Sequence, residues 1–487
     1  MTNYAKAISG VLPLNKRDFP RIHFYDQDFV DIYDRTWAWI ADYWTNSGTD
    51  SGIGGGKFFF YPPERRLDQL EQSFASFFLV YSNRIYSASN GLDALYSKQE
   101  ENGAIRWMYE IDSGAAVLPP ENPEGVSLPL FAWAEYNLYH KSANKKRVKE
   151  VMPVLQRYYA WLEATFKRPN GLFEVPVAAT GMANSPRDGA CYLVDFNAAM
   201  AVNALYMSAL GDILNDKEIG FQYKRNYFSL KTRINNFMWN ADDGFYYDVD
   251  AAERQVRNKT IGGFWPLLAE IPNEERAEAI IAHLTDPATF GTENPFPSLA
   301  VDCEHYDKRG LGYKGAVLPQ FTYMVIKGLE KYNQWELARD CAIRHLYFML
   351  DSAHQNGEHR QTLWEAYQPQ NEGKAIWPDR ADWPRAQYLG FSGLATVALM
   401  IENIVGLSVS LPRKTVDWII PNLEIMGIEN LSLKRNMVTI LSNKSGRGWE
   451  IHMESEKLYY FTINVIGKKK KTLPIPSGKC SMLIDKI

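Results

Sequence analysis

From about residue 26 to 405 the apolar residues return every three to four positions, and every second connection between these stretches is long. Residues 148–166 show the period most clearly, with Val148, Val151, Met152, Leu155, Tyr158, Tyr159, Leu162 and Phe166 on one face before Pro169 and Gly171 stop the helix. Over 195–210, Ala198, Ala201, Val202, Leu205 and Ala209 form a second stripe, with Gly211 as the expected terminator. Further helices are expected at about 27–45, 68–82, 88–99, 129–140, 219–238, 273–283, 317–332, 335–350 and 385–405. The connections 107–127, 168–193, 285–316 and 354–384 are too long to be idle linkers in a compact domain. Helices that pair off in this way predict a ring of hairpins whose long loops gather at one end.

After Gly406 the pattern changes. "MVTILS", "WEIHME" and "LYYFTINVIG" carry strand-forming residues broken by Gly, Asn and Lys, so 409–487 reads as a small antiparallel β unit on a helical body spanning 1–408. The basic run Lys468–Lys471, beside Gly467, reads as a solvated hairpin turn.

Several function classes lose their footing here. A net charge of −4 supplies no basic stripe for nucleic acid. The four cysteines and eight histidines are scattered, without metal-ligand or disulfide spacing, and no Walker motif, nucleophile elbow or dinucleotide fingerprint occurs. No cofactor and no metal are therefore expected. "NADDGFYYDVD" (240–250) fails as a calcium loop, because positions needing acids hold Trp239 and Ala241; a turn at Asp243-Gly244 joining two short strands is expected. No stretch approaches a membrane span. The compartment stays open: cytoplasmic as written, periplasmic or secreted if a leader has been removed.

What the chain has in excess is ring faces, 14 Trp and 28 Tyr among 14% aromatic residues. A sugar packs its C–H face on such rings while its hydroxyls seek polar partners, so a carbohydrate is the expected ligand. Four loops concentrate polar groups among aromatics: 107–133, 180–189, 305–319 and 361–393. In the last, Glu365 stands between Trp364 and Tyr367, where ordered neighbours can tune and aim a base. The alternative is a Glu that pairs with Arg360 or Arg385 and only braces the loop. Trp107, Trp133 and Trp377 or Trp383 are the expected ring faces of a sugar cleft.

These segments carry a resemblance. Leu92-Asp93, Tyr96, Gln99, Gly103, Ile105 and Arg106, together with "LPLFAWAEYNLY" (128–139), "NPFPSLAVDCEHY" (294–306), "TLWEAYQP" (362–369) and "LGFSGLATVALMIENIVGL" (389–407), resemble the glycosidases of glycoside hydrolase family 63. The mannosylglycerate-hydrolase-like branch is the nearer match, and trehalases are more distant. The resemblance implies a mainly α fold, an (α/α)6 toroid with a small C-terminal β unit. It also implies inverting hydrolysis of an α-linked glucoside or mannoside. One carboxylic acid protonates the leaving oxygen and a second carboxylate, roughly 6.5–9.5 Å away, activates water on the opposite face. By resemblance Glu365 is the base, and Trp364, Tyr367, Asn184, Arg187, Tyr313, Lys314 and Phe391 are substrate contacts; for Arg187 the alternative is a loop-bracing ion pair.

The acid of such enzymes lies on a loop reading Ser-Gly-Met-Asp-Asn-Ser-Pro-Arg. Here that loop is Thr180-Gly181-Met182-Ala183-Asn184-Ser185-Pro186-Arg187, and a methyl group stands where the acid should. Other departures accompany it: Leu70-Glu71 for Trp-Asp, Gly312-Tyr313-Lys314-Gly315 for Tyr-Trp-Arg-Gly, Leu318 for a Trp, and Phe391 for the Trp of Gly-Trp-Ser-Gly. Exchange of Arg for Lys removes planar, bidentate recognition. Two readings follow: a hydrolase with a relocated or missing acid, for which Asp188, Glu174 and Glu71 are candidates and Asp188 the expected one, or a carbohydrate-binding protein that has lost hydrolysis. A purely structural scaffold explains neither the Asn-Ser-Pro-Arg run nor the ring-rich loops.

Overall fold

The computed structural model describes residues 19–487 apart from 49, 83, 120, 354–361, 435, 447, 458, 466–470, 476 and 485–487. The turn expected around Lys468–Lys471 falls largely outside the described residues, as does Arg360.

The described residues form a mainly helical protein with small sheets. Twelve α-helices are present among them: α1 Gln27–Tyr43, α2 Gln69–Leu79, α3 Asn90–Tyr96, α4 Phe131–Ser142, α5 Lys145–Phe166, α6 Val194–Leu214, α7 Lys217–Phe237, α8 Trp265–Leu268, α9 Glu274–Thr285, α10 Pro319–Lys331, α11 Trp335–Ala353 and α12 Leu389–Gly393. The last continues as a π-helix over Leu394–Ile404. Helix starts follow their capping residues. Asp26, Asp68, Asn144, Asp216 and Asn273 each accept from a backbone N–H of the first turn, satisfying donors that have no intrahelical partner.

The most enclosed helices pack in sequence: α2 on α4, α4 on α6, α6 on α8, α8 on α10, α10 on α12, and α12 back on α2. Their sequences show why. In α6, sixteen of the twenty-one residues are buried, so its face is apolar nearly all round, whereas α7 and α5 bury a single stripe and expose the rest. Gly211 does not end α6 as its position suggested. The helix runs on to Leu214 and closes at Asn215 in the left-handed conformation (φ 60°). Gly211 is small because α7 crosses there: a Cβ on it would stand 2.7 Å from the backbone nitrogen of Gly220. The Asp243-Gly244 turn does join two short strands, Trp239–Asn240 and Phe245–Tyr246.

The C-terminal strands form two sheets. One orders Arg21–His23, Met426–Leu433, Asn436–Ser445, Gly448–Ser455 and Gly478–Ile484, so a strand from the N-terminal side of the helices joins it. The other orders Leu407–Ser410, Thr415–Ile420, Tyr459–Val465 and Lys471–Ile475. The expectation of a wholly antiparallel unit needs correction, because Thr415–Ile420 pairs with Tyr459–Val465 in parallel. The chain leaves the second sheet after Ile420, builds three strands of the first and returns in the same direction. Trp418 pins the unit to the helical body, its indole N–H donating to the Val405 carbonyl at 2.7 Å. No helix among the described residues is long and apolar enough to cross a membrane.

Candidate active-site cleft

The N-terminal ends of α2, α10 and α12 and the loops before them meet in a cleft of about 220 Å³. Its wall includes Trp107, Tyr313, Phe321, Trp383 and Phe391, and its polar lining includes Glu64, Asp68, Gln320, Glu365, Asp382 and Arg385. Ala183 faces the same cleft. All four loops singled out in the sequence reach this place, 180–189 with Ala183, 361–393 with Glu365, 107–133 with Trp107 and 305–319 with Tyr313. Tyr313, Trp377 and Trp383 form a ring cluster on one side, with centroids 5.5–6.1 Å apart. The indole nitrogens of Trp107 and Trp383 and the Oε1 of Gln320 are buried with no hydrogen-bond partner among the described residues. Such groups are costly in a closed core and are suited to ligand hydroxyls.

Glu365 is held rigidly. Its backbone N–H donates to the Arg385 carbonyl at 3.0 Å. Its carboxylate takes a bidentate pair from Arg385, Nε to Oε2 at 2.9 Å and Nη2 to Oε1 at 2.7 Å, and Oε2 also accepts the Arg385 backbone N–H at 3.1 Å. Arg385 reaches Glu64 with its remaining nitrogen at 3.2 Å and stacks 3.6 Å from the centre of the Tyr388 ring. The loop-bracing pairing with Arg385 and the cleft position therefore coexist. Oε1 accepts one N–H among the described residues and retains a lone pair for a water molecule.

Trp364 and Tyr367 serve Glu365 from behind and do not line the cleft. The Tyr367 hydroxyl accepts the Trp364 backbone N–H at 2.9 Å, and Ser392 donates to the Trp364 carbonyl at 3.0 Å. Tyr367 is fully buried, and the Trp364 ring carries the Lys374 ammonium at 4.6 Å. In this arrangement both stand outside the cleft lining and brace the loop that carries Glu365.

Arg187 has the geometry of the loop-bracing alternative. Its side chain is wholly buried, with Nε and Nη2 on Asp248 at 2.6 and 2.7 Å and Nη1 and Nη2 on Asp195 at 2.8 and 2.9 Å. Every edge of the guanidinium is spent on tying the 180–189 loop to the start of α6, and none reaches the cleft. Asn184 likewise positions a neighbour: its Oδ1 accepts the Tyr313 backbone N–H at 2.7 Å. Gly312 (φ +55°) admits that amide, since a Cβ there would lie 2.4 Å from Asn184 Nδ2. Lys314 is outside the cleft lining, and Trp133 lines a different cavity at the other end of the helices. Trp107, Tyr313 and Phe391 are in the cleft.

The replacement acids fare differently. Asp188 is exposed and away from the cleft lining, because Arg187 turns the loop outward after Pro186. Glu174 pairs with Arg168 at 2.6 Å outside the cleft. Glu71 is buried behind the lining against Gly390, and burial pushes its carboxyl well above the ordinary range. The residue that sequence reasoning missed is Asp68. It lines the cleft, caps α2 by accepting the Glu71 backbone N–H at 2.9 Å, and is raised by burial above the usual carboxylate range. Its "Asp-x-x-Glu" spacing before an apolar helix was a readable cap signature, but nothing in the spacing announced a cleft.

Residues 86–376 match the mannosylglycerate hydrolase MGH1-like glycoside hydrolase domain, and residues 406–487 match the C-terminal domain of trehalase. An uncharacterized protein of Borreliella burgdorferi is 48% identical over 97% of this chain and 100% of its own length. The structure is similar to the family 63 mannosylglycerate hydrolase from Thermus thermophilus in complex with glucose, at 17% identity, covering 76% of this chain and 98% of that one with a TM-score of 0.59. Neutral trehalase from Saccharomyces cerevisiae is similar at 14% identity, over 68% of this chain and 70% of that one, with a TM-score of 0.52. With its match spanning more than half of the sequence, the chain belongs to the mannosylglycerate hydrolase MGH1-like glycoside hydrolase family.

Proposed function

We propose that the protein is an inverting glycoside hydrolase acting on an α-linked glucoside or mannoside, with Glu365 as the base that activates water. The observation that carries this reading is that Glu365 and Ala183, from loops far apart in sequence, line one aromatic cleft. The helices in this reading close into an (α/α)6 toroid, supported by the packing of α12 on α2, with the β unit beginning near residue 409. That the Thermus relative was solved in complex with glucose supports a sugar as the ligand.

The proton for the leaving group is assigned to Asp68. Of the four carboxylates in the lining, Glu64 and Glu365 are held by Arg385 and Asp382 projects into solvent, while Asp68 makes no ion pair among the described residues and is raised by burial. A raised carboxyl can hold the proton that an acid must deliver. Its geometry is fixed by capping α2 rather than by the 180–189 loop, so hydrolysis of ordinary glycosides is expected to be weak.

The test is sugar release from α-mannosides and α-glucosides. Glu365→Gln and Asp68→Asn should each lower turnover by about 10²–10⁴-fold, the usual contribution of a positioned acid or base. Turnover surviving Glu365→Gln would contradict the base assignment, and turnover indifferent to Asp68→Asn would contradict the acid. A second reading, a carbohydrate-binding protein without hydrolysis, is favoured by the bidentate hold of Arg385 on Glu365. It predicts glucose or mannose binding with no turnover in any variant.

A further inference from the structure

At the C-terminal ends of α4 and α10, where the helical body meets the strands Leu407–Ser410 and Thr415–Ile420, a second cavity of about 320 Å³ opens. It shares no lining residue with the cleft that holds Glu365. Its cations and carboxylates are equal in number once Glu270 is counted, but its hydrogen-bond donors are not all met. Lys327 is spent on Glu330 at 2.7 Å and Glu402 at 2.8 Å, and Lys331 on Glu270 at 2.8 Å. Lys141 is held least tightly of the three. Its side chain is only 10% exposed, its nearest carboxylate is Glu402 at 3.9 Å, and its other neighbour is the Tyr81 ring at 5.1 Å. Neither is within hydrogen-bond range, so the buried ammonium, ion-paired only at 3.9 Å, faces the cavity with no hydrogen-bond acceptor among the described residues. Its place in the last turn of α4 favours a cation, but a helix end compensates only a small part of the loss of hydration on burial.

Two further donors point the same way. The amide nitrogen of Asn137, one turn before Lys141, is buried with no partner among the described residues. Arg413, exposed at the mouth, makes no ion pair among the described residues and lies close enough to His140 to act with Lys141 in disfavouring its charged form. Asp417 and Arg413 are the acid and the cation of the lining that make no ion pair among the described residues. Beside these donors stand ring faces: Trp133 is stacked on Tyr206 and Tyr323, with centroids 6.5 and 6.1 Å apart, and Tyr136 lies 4.8 Å from Tyr206.

We propose that this cavity is a second ligand site, for an anionic monosaccharide whose phosphate or carboxylate meets Lys141, Asn137 and Arg413 while its C–H face packs on the Tyr136 and Trp133 rings. It is separate from the glycosidase reading and survives that reading's failure. Lys327 with Glu330 and Glu402, and Lys331 with Glu270, satisfy one another and set no demand on the ligand.

Calorimetric titration of the full chain with glucose 6-phosphate, glucuronate, glucose and inorganic phosphate tests it. Glucose 6-phosphate or glucuronate should bind at least tenfold more tightly than glucose or inorganic phosphate, and the preference between the two names the anion. Lys141→Gln should weaken that binding tenfold or more, and Arg413→Gln, on an exposed turn that folding does not need, severalfold. Tyr313→Ala, in the other cleft, should leave it unchanged. Equal affinity in both cation variants, loss of binding in Tyr313→Ala, or inorganic phosphate binding as tightly as the sugar phosphate would each overturn the proposal.

Discussion

Replacing Arg187 by Met separates a structural role from a sugar contact. The guanidinium makes four charge-assisted hydrogen bonds of 2.6–2.9 Å to Asp195 and Asp248, and all three side chains are at most 2% exposed. Met matches much of the volume but leaves two buried carboxylates without their cation. Breaking a buried pair by removing one partner costs about 3–5 kcal/mol, because the remaining charge stays desolvated. The carboxylates keep some compensation: Asp248 still accepts the Val194 backbone N–H at 2.8 Å, and Asp195 that of Phe196 at 2.8 Å. The expected loss is therefore about 4 kcal/mol, the middle of that range. At roughly 2.1 cal/mol/K per residue, a chain of 487 residues has an unfolding entropy of ~1 kcal/mol/K, so Tm should fall by ~4 °C. Arg187→Lys keeps a charge but not the fork, and should fall between Met and wild type. The assay is thermal unfolding followed by circular dichroism, alongside titration with glucose or mannose. A variant that melts within ~1 °C of wild type yet loses sugar affinity tenfold would refute the reasoning and return Arg187 to the cleft.

Three further outcomes follow from the packing and the titrating groups. His345 is fully buried, its Nδ1 is 2.7 Å from Asn294 Oδ1, and burial pushes its pKa down from 6.5 to about 3. The unfolded chain takes up this proton first, so the stability that depends on neutral His345 is complete above pH 6.5 and drains away as pH falls towards 3; denaturation midpoints for His345→Gln should show a shallower decline over that window. Gly211→Ala should cost about 1–3 kcal/mol, measured by denaturant unfolding, because its Cβ must push the α7 backbone away from 2.7 Å. Asp68→Asn should keep the α2 cap and melt like wild type, whereas Asp68→Ala should lose about 1 kcal/mol of stability in the same experiment.

The helical part was legible because burial imposes a period that sequence records directly: eleven of the twelve helices lie where apolar residues recur, and the exception, Trp265–Leu268, is one turn long and too short to show a period. What composition could not supply was direction. Arg187, Asn184, Trp364 and Tyr367 belong to loops that do reach the cleft, yet each turns its polar atoms inward to hold a neighbour, and a sequence does not say whether a guanidinium faces sugar or Asp248. Trp133 shows the same limit at longer range. It sits near the start of α4, after a loop whose Val126 and Ser127 line the cleft, yet Trp133 lines the cavity at the other end. Asp68 carries only a helix-cap signature in the sequence, and a cap does not announce a cleft. The parallel pairing of Thr415–Ile420 with Tyr459–Val465 depends on a return across two sheets, which local alternation does not encode.

The most direct measurement compares hydrolysis of a glycosyl fluoride and of the corresponding ordinary α-glycoside by the wild-type chain, Ala183→Asp and Ala183→Asp/Glu365→Gln. A fluoride leaves without needing a proton, so the wild type should turn it over far better than the glycoside. Ala183 lines the cleft with Glu365, so an Asp in its place should raise glycoside hydrolysis by about 10²-fold or more, the lower end of what a positioned acid contributes, while changing fluoride turnover little. Adding Glu365→Gln should abolish both activities. A wild type that cleaves the ordinary glycoside as readily as the fluoride, or an Ala183→Asp gain that persists without Glu365, would contradict the account.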